Sequence, residues 1–141
     1  MYKACLLHSK AERVLKHLVS KHLEERGITR MGWLLLASIS EPSKHDEGHT
    51  MGELAEVLDI RLSQLTALAS KMNREGLLLQ IISPKDRRTK YVRTTPKGMR
   101  LLNDIENVMR EAMKDWLAQI EKNDLLSYMN TVENLSKVSR T

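Results

Sequence analysis

The apolar period of this chain switches twice, and the switches limit what it can fold into. Up to Gly76, apolar residues recur at helical spacing. The segments Leu77 to Ser83 and Lys90 to Thr95 are instead short and rich in Leu, Ile, Val, Tyr and Thr, and helical spacing returns after Pro96. Pro84-Lys85-Asp86-Arg87-Arg88-Thr89 lies between the two short segments and is polar and turn-like. The pair therefore reads as a β-hairpin with a basic tip, set among helices: a mainly α chain with a small β element, in the α+β class.

The helices can be placed by their ends. Leu7, Ala11, Val14, Leu15, Leu18 and Val19 give roughly residues 3–26 a helical stripe, and Gly27 sits where a helix would stop. Thr29 can cap a second helix through Met31, Trp33, Leu34, Leu36 and Ala37, which Pro42 ends; residues 41–49 read as a polar loop. Thr50-Met-Gly-Glu53 is a capping box, in which the Thr50 hydroxyl accepts from Glu53 N–H and the Glu53 carboxylate accepts from Thr50 N–H. It opens a short helix with Leu54, Val57 and Leu58 on its apolar side. About four residues on, Leu62, Leu65, Leu68, Ala69 and Met72 form the buried side of another helix, stopped by Gly76. Two helices so joined are a helix-turn-helix candidate. Pro96 suits the first turn of a long helix running from Leu101 to Ile120, and Asn123 or Asp124 is expected to cap a last one, from Leu125 to Val138. The long helix carries more apolar surface than one small neighbour covers, so the terminal helices are expected to pair with a second copy in a homodimer.

The 141 residues suit one domain, with a winged helix-turn-helix lobe over 29–100 and dimerisation helices over 1–28 and 101–141. Charged residues at 29% and hydrophobic ones at 41% exclude a disordered or low-complexity chain. The longest apolar run, Trp33 to Ala37, is far short of a membrane span, and no signal-peptide pattern follows Met1. The expectation is a soluble, cytoplasmic protein. Cys5 is the only cysteine, which leaves no internal disulfide and no thiolate zinc cluster.

Where the charge sits says more than its total of +5. Arg61 to Arg100 holds ten basic residues (Arg61, Lys71, Arg74, Lys85, Arg87, Arg88, Lys90, Arg93, Lys97, Arg100) against Glu75 and Asp86, a local net of +8. The remaining 13 basic and 16 acidic residues net −3. A solvated face without a partner would mix the signs; this segregation suits a phosphate-facing surface and double-stranded DNA. An enzyme has little support: there is no Gly-rich phosphate loop, no Gly-x-Ser-x-Gly and no His-Glu-x-x-His, and no cofactor is implied.

Glu53-Leu54-Ala55-Glu56-Val57-Leu58-Asp59-Ile60, Gly76-Leu77-Leu78, Asp86-Arg87-Arg88 and Thr95-Pro96-Lys97-Gly98 together resemble the MarR family of bacterial and archaeal transcription regulators. The likeness covers residues 27–102 and, more loosely, the terminal helices. Its most specific parts are the Asp-x-Arg wing tip, at Asp86 and Arg88, and the Thr-Pro-x-Gly that follows. The resemblance implies a two-fold dimer built by the first and last two helices. Each subunit would offer one winged lobe to palindromic operator DNA, released when a small, often phenolic or anionic, effector or an oxidant arrives. Two positions depart from the family: Arg61 stands where a Ser or Thr usually opens the recognition helix, and Thr94 where a leucine precedes the wing-closing threonine.

On this reading the second helix of the motif enters the major groove by its N-terminal part. Gln64 could bridge adenine N6 and N7, Ser63 and Thr66 could bond bases or phosphates, and Ala67 could meet a thymine methyl. Arg61 and Lys71 suit phosphates. At the wing, Asp86 is expected to pair with Arg88 and stiffen the loop while Arg87 enters the minor groove, the two arginines being interchangeable in these roles; Lys85 and Lys90 flank them. His45 and His49, with Asp46 and Glu47 between them, lack a scaffold for a metal site and read as a solvated loop. Cys5 reads as an inert thiol rather than a sensor. Trp33, Trp116 and the methionines read as core and dimer packing, with an effector cleft as the other reading. The function expected is a ligand-responsive regulator, a repressor in the first instance. A protein-docking winged helix or a metal- or redox-responsive regulator are the alternatives.

Overall fold

Gly27, Pro42, Gly76 and Pro96 divide the chain as its residues suggest. The computed structural model describes residues 1–138. Helices α1 (Tyr2–Glu24) and α2 (Arg30–Ser40) lead to a short strand β1 (His49–Thr50), then to α3 (Met51–Leu58) and α4 (Leu62–Arg74). Strands β2 (Leu78–Ile82) and β3 (Lys90–Thr94) follow, then α5 (Pro96–Leu117) and α6 (Lys122–Ser136). The expected dimerisation segment 101–141 ends in residues 139–141, which lie outside the described residues. No described helix is long and apolar enough to cross a membrane.

The helix starts obey local chemistry. Thr29 Oγ1 accepts from Gly32 N at 3.0 Å and Thr95 Oγ1 from Gly98 N at 3.0 Å. The capping box at α3 is complete: Glu53 N donates to Thr50 Oγ1 at 3.2 Å, and Thr50 N to Glu53 Oε2 at 3.0 Å. The other Glu53 oxygen meets His45 Nε2 at 3.1 Å. The Thr50 N–H first, and His45 after it, hold the Glu53 carboxyl below its ordinary value against the opposing pull of desolvation. A depressed folded-state pKa stabilises the fold fully above the ordinary carboxylate range, and that stability is lost as pH falls through the folded value. The wild-type Tm should therefore drop between about pH 5 and 3, and Glu53→Gln should flatten that drop in a thermal melt series.

The last helix corrects an expectation. Its N-cap is Glu121, which makes no side-chain cap bond, and Asn123 and Asp124 lie inside its first turn. The long helix also stops at Leu117, short of Ile120.

The sheet is three-stranded, in the order β1-β3-β2, and antiparallel throughout. Strand β1 has no signature in the sequence, because two residues cannot carry a period. Its pairing of His49 with Val92 and Thr50 with Tyr91 is long-range. Arg93 secures the loop before β1, its guanidinium donating to the carbonyls of Glu47 (2.6 Å) and Asp46.

One core joins the lobe to the long helix. Leu35, Leu36, Leu65, Ala69, Leu78, Val92 and Ile105 are wholly buried, and Leu23 from α1 and Leu102 and Met109 from α5 complete it. Arg26 Nε, in the turn after α1, reaches Asp104 Oδ2 on α5 at 2.5 Å. Gly98 is where α5 passes the start of β2. A Cβ there would lie 2.0 Å from the Leu77 carbonyl oxygen and 2.9 Å from Thr94 Cγ2. Thr94 Oγ1 is itself buried without a partner among the described residues. Gly98→Ala has to push α5 off the sheet, and should cost at least about 2 kcal/mol, read as a lower urea midpoint at unchanged slope.

Candidate nucleic-acid interface

Helix α4 has the amphipathic layout of a recognition helix. Leu65, Ala69 and Met72 are buried, while Ser63, Gln64, Thr66, Ala67 and Lys71 are exposed on the rest of its surface, and Arg61 is exposed at its N-cap. Three residues, 59–61, separate it from α3 instead of about four. Asp59 turns the chain in the left-handed region at φ 51°, which Asp tolerates better than most residues. At the other end Gly76, at φ 73°, lets Leu77 N bond back to Met72 O at 3.0 Å and directs the chain into β2.

The first turn of α4 uses some of its own polar groups. Arg61 makes no side-chain cap, as its departure from Ser or Thr implied. Gln64 makes the reciprocal bond of a capping box, its Oε1 accepting from Arg61 N at 3.2 Å. Thr66 Oγ1 donates to Leu62 O at 2.8 Å. Leu62 is not buried, contrary to its place in the apolar series. It is 54% exposed, because at the first helical position no following element covers it.

The wing tip is rigid for a reason different from the expected ion pair. Asp86 Oδ1 accepts from the backbone N of Arg88 at 3.0 Å, and Oδ2 from Thr89 Oγ1 at 3.2 Å. Thr89 N bonds Asp86 O, and Ser83 N bonds Thr89 O, each at 2.9 Å. The buried Ser83 hydroxyl accepts from Lys85 N and Asp86 N, both at 3.3 Å. Asp86 therefore closes the turn through main chain and hydroxyl. No ion pair links it to Arg88, and neither the Arg87 nor the Arg88 guanidinium has a hydrogen-bond partner among the described residues. Lys85, Arg87, Arg88 and Lys90 are all exposed. Four cations around one fully engaged carboxylate make a strongly positive tip.

Not every basic residue of the segment is free for a partner. Arg93 is spent on the loop before β1, and Lys97 Nζ donates to Glu75 O at 2.7 Å. Arg74, exposed, and Ser70, half-buried, continue the line of Ser63 and Ala67 along α4 at helical spacing. His45 and His49 turn to different partners, the Glu53 carboxylate and the Glu41 carbonyl (2.8 Å), and no group of three metal-ligating side chains occurs among the described residues. Cys5 is exposed on α1. The two tryptophans lie apart in the fold. Trp33 packs on the core with its Nε1 buried and unpartnered among the described residues, whereas Trp116 lines a cleft of about 600 Å³ between α1, α5 and α6.

Residues 28–98 match the family model described as a winged helix DNA-binding domain. The chain is 30% identical over 79 residues to the transcriptional activatory protein BadR of Rhodopseudomonas palustris, a match covering 56% of this chain and 45% of that protein. Its fold is similar to that of AbsC, a MarR family transcriptional regulator from Streptomyces coelicolor (TM-score 0.84, 20% identity, 96% of this chain and 91% of the other). It is similar too to the M. tuberculosis transcriptional regulator MOSR, solved in complex with DNA (TM-score 0.73, 24% identity, 98% of each chain). The chain belongs to the winged helix DNA-binding family and has, over nearly its whole length, the architecture of its MarR regulators.

Proposed function

We propose that the chain is a homodimeric, sequence-specific transcription regulator, a ligand-responsive repressor that binds palindromic operator DNA. The observation that carries the DNA reading is the pairing of an exposed polar α4 face with a wing whose arginines are unengaged among the described residues while its turn is held by other groups. Two α4 helices would enter successive major grooves about 34–36 Å apart, with Ser63, Gln64, Thr66 and Ala67 toward the bases and Arg61 and Lys71 on phosphates. Lys85, Arg87, Arg88 and Lys90 would follow the flanking minor groove and its backbone. Since Asp86 leaves both guanidiniums free, either arginine can enter the groove. No residue is assigned a catalytic role.

The division into a DNA-binding lobe, 29–100, and dimerisation helices on either side is part of the same proposal. Its support is α6, which has no buried residue, and the apolar cleft beneath it. A small-molecule effector would act by favouring a dimer whose lobes are wrongly spaced, a population shift that needs differential affinity for the two arrangements. The test is a fluorescence titration of the protein onto its own upstream promoter fragment and onto scrambled DNA, at several salt concentrations. A preference above about 10³ that weakens steeply with salt is expected. Equal, weak binding to both would favour a protein-docking winged helix.

A further inference from the structure

Resting on that reading of α4 as the helix in the major groove, we infer that Leu62 reads a thymine 5-methyl group, so that each half-site requires a T at one position for an apolar reason. A single exposed leucine is ordinary. This one stands at the first position of the element that meets the bases, and a helical side chain leans back over the turn N-terminal to its own Cα. Leu62 therefore projects at the leading end of α4, 54% exposed, where the helix first meets base edges.

The surrounding polar groups strengthen the assignment. The one proton of the Thr66 hydroxyl is committed to the Leu62 carbonyl, and Gln64 Oε1 already accepts from Arg61 N. Ala67 has only a methyl. Of the residues on this part of α4, Ser63 alone has a side chain with its hydrogen-bonding capacity wholly uncommitted among the described residues. Beside the Ser63 hydroxyl and the Gln64 amide N–H groups, the first turns therefore offer the groove the methyl and methylene surface of Leu62, Thr66 and Ala67. In the major groove the apolar feature that distinguishes one base from the others is the C5-methyl of thymine. Cationic Arg61, one residue before Leu62, and Lys71 would fix the register by phosphate contacts that read no sequence.

The test removes only the methyl. A duplex selected by the wild-type protein from a random-sequence pool is resynthesised with deoxyuridine replacing thymidine, one position at a time in both half-sites, and each is titrated by fluorescence anisotropy. Uracil keeps every hydrogen-bonding group of thymine. One symmetric position should weaken wild-type binding about 4-fold per half-site, or about 15-fold over two, the worth of one buried methyl at each. Leu62→Ala, checked to be folded by its circular dichroism and thermal melt, should bind the thymine duplex more weakly and lose less than twofold on replacement by uracil at that position. Uniform tolerance of uracil by the wild type, or an equal uracil penalty in Leu62→Ala, would overturn the assignment while leaving DNA binding intact. Failure to enrich or bind any duplex at low salt would remove the DNA reading itself, and Leu62's role with it.

Discussion

Replacing both wing arginines, Arg87→Ala with Arg88→Ala, should cost the protein about 10³-fold in operator affinity near physiological salt, taking about 1 kcal/mol for each of the four arginines of a dimer. The plot of log affinity against log salt should flatten as well, by up to about 3.6, since each neutralised phosphate contributes about 0.9 to the slope. The double variant isolates this electrostatic effect because neither guanidinium holds the wing together. The turn is closed by Asp86 on Arg88 N and Thr89 Oγ1, and by Ser83 beneath it, and every one of those bonds survives truncation of the arginine side chains. Circular dichroism and Tm should therefore match the wild type. Retained affinity with an unchanged salt slope would mean that the wings do not face DNA.

The wing also shows what a sequence can and cannot convey. Its position, basic tip and turn were legible, because β-rich segments around a polar, proline-led stretch leave few alternatives. The role of Asp86 was legible as stiffening but not as mechanism. Opposite charges two residues apart suggest an ion pair, whereas the short carboxylate reaches the main chain two residues on more easily than it reaches a mobile guanidinium. The capping box at Thr50 and Glu53 and the stop at Gly76 were readable for the same reason: both are completed within a few residues. What failed was long-range or terminal. Strand β1 exists only through Val92 and Tyr91, and Arg93 and Lys97 count toward a basic surface until distant carbonyls claim them. Leu62 has the spacing of a core residue but sits at a helix end, where periodicity no longer implies cover.

The terminal helices carry the other large expected effect. Leu126→Glu with Met129→Glu on α6 should convert the protein to a monomer and reduce binding to a two-half-site operator by about 10²- to 10⁴-fold, the avidity lost when two lobes are no longer linked. Within one chain these helices are poorly covered. Leu6, Leu7 and Val14 on α1 and Leu126, Tyr128, Met129 and Leu135 on α6 are all more than two-fifths exposed. Below them Leu15, Met113, Trp116, Leu117 and Leu125 line the apolar cleft of about 600 Å³. A contiguous apolar surface of this kind is costly in water, and a second copy offering the same face in two-fold register can cover it. Leu126 and Met129 are 52% and 58% exposed, and glutamate is a good helix former, so the monomer should keep its helical content. Docking a second chain would instead bury unpaired carboxylates. Sedimentation velocity reads the mass. Titration onto a single half-site reads the lobe, which should bind as each wild-type lobe does, with its Arg87 and Arg88 contribution intact. A variant that stays dimeric would place the interface elsewhere on the chain, and one that loses single half-site binding would show that α6 supports the winged lobe directly.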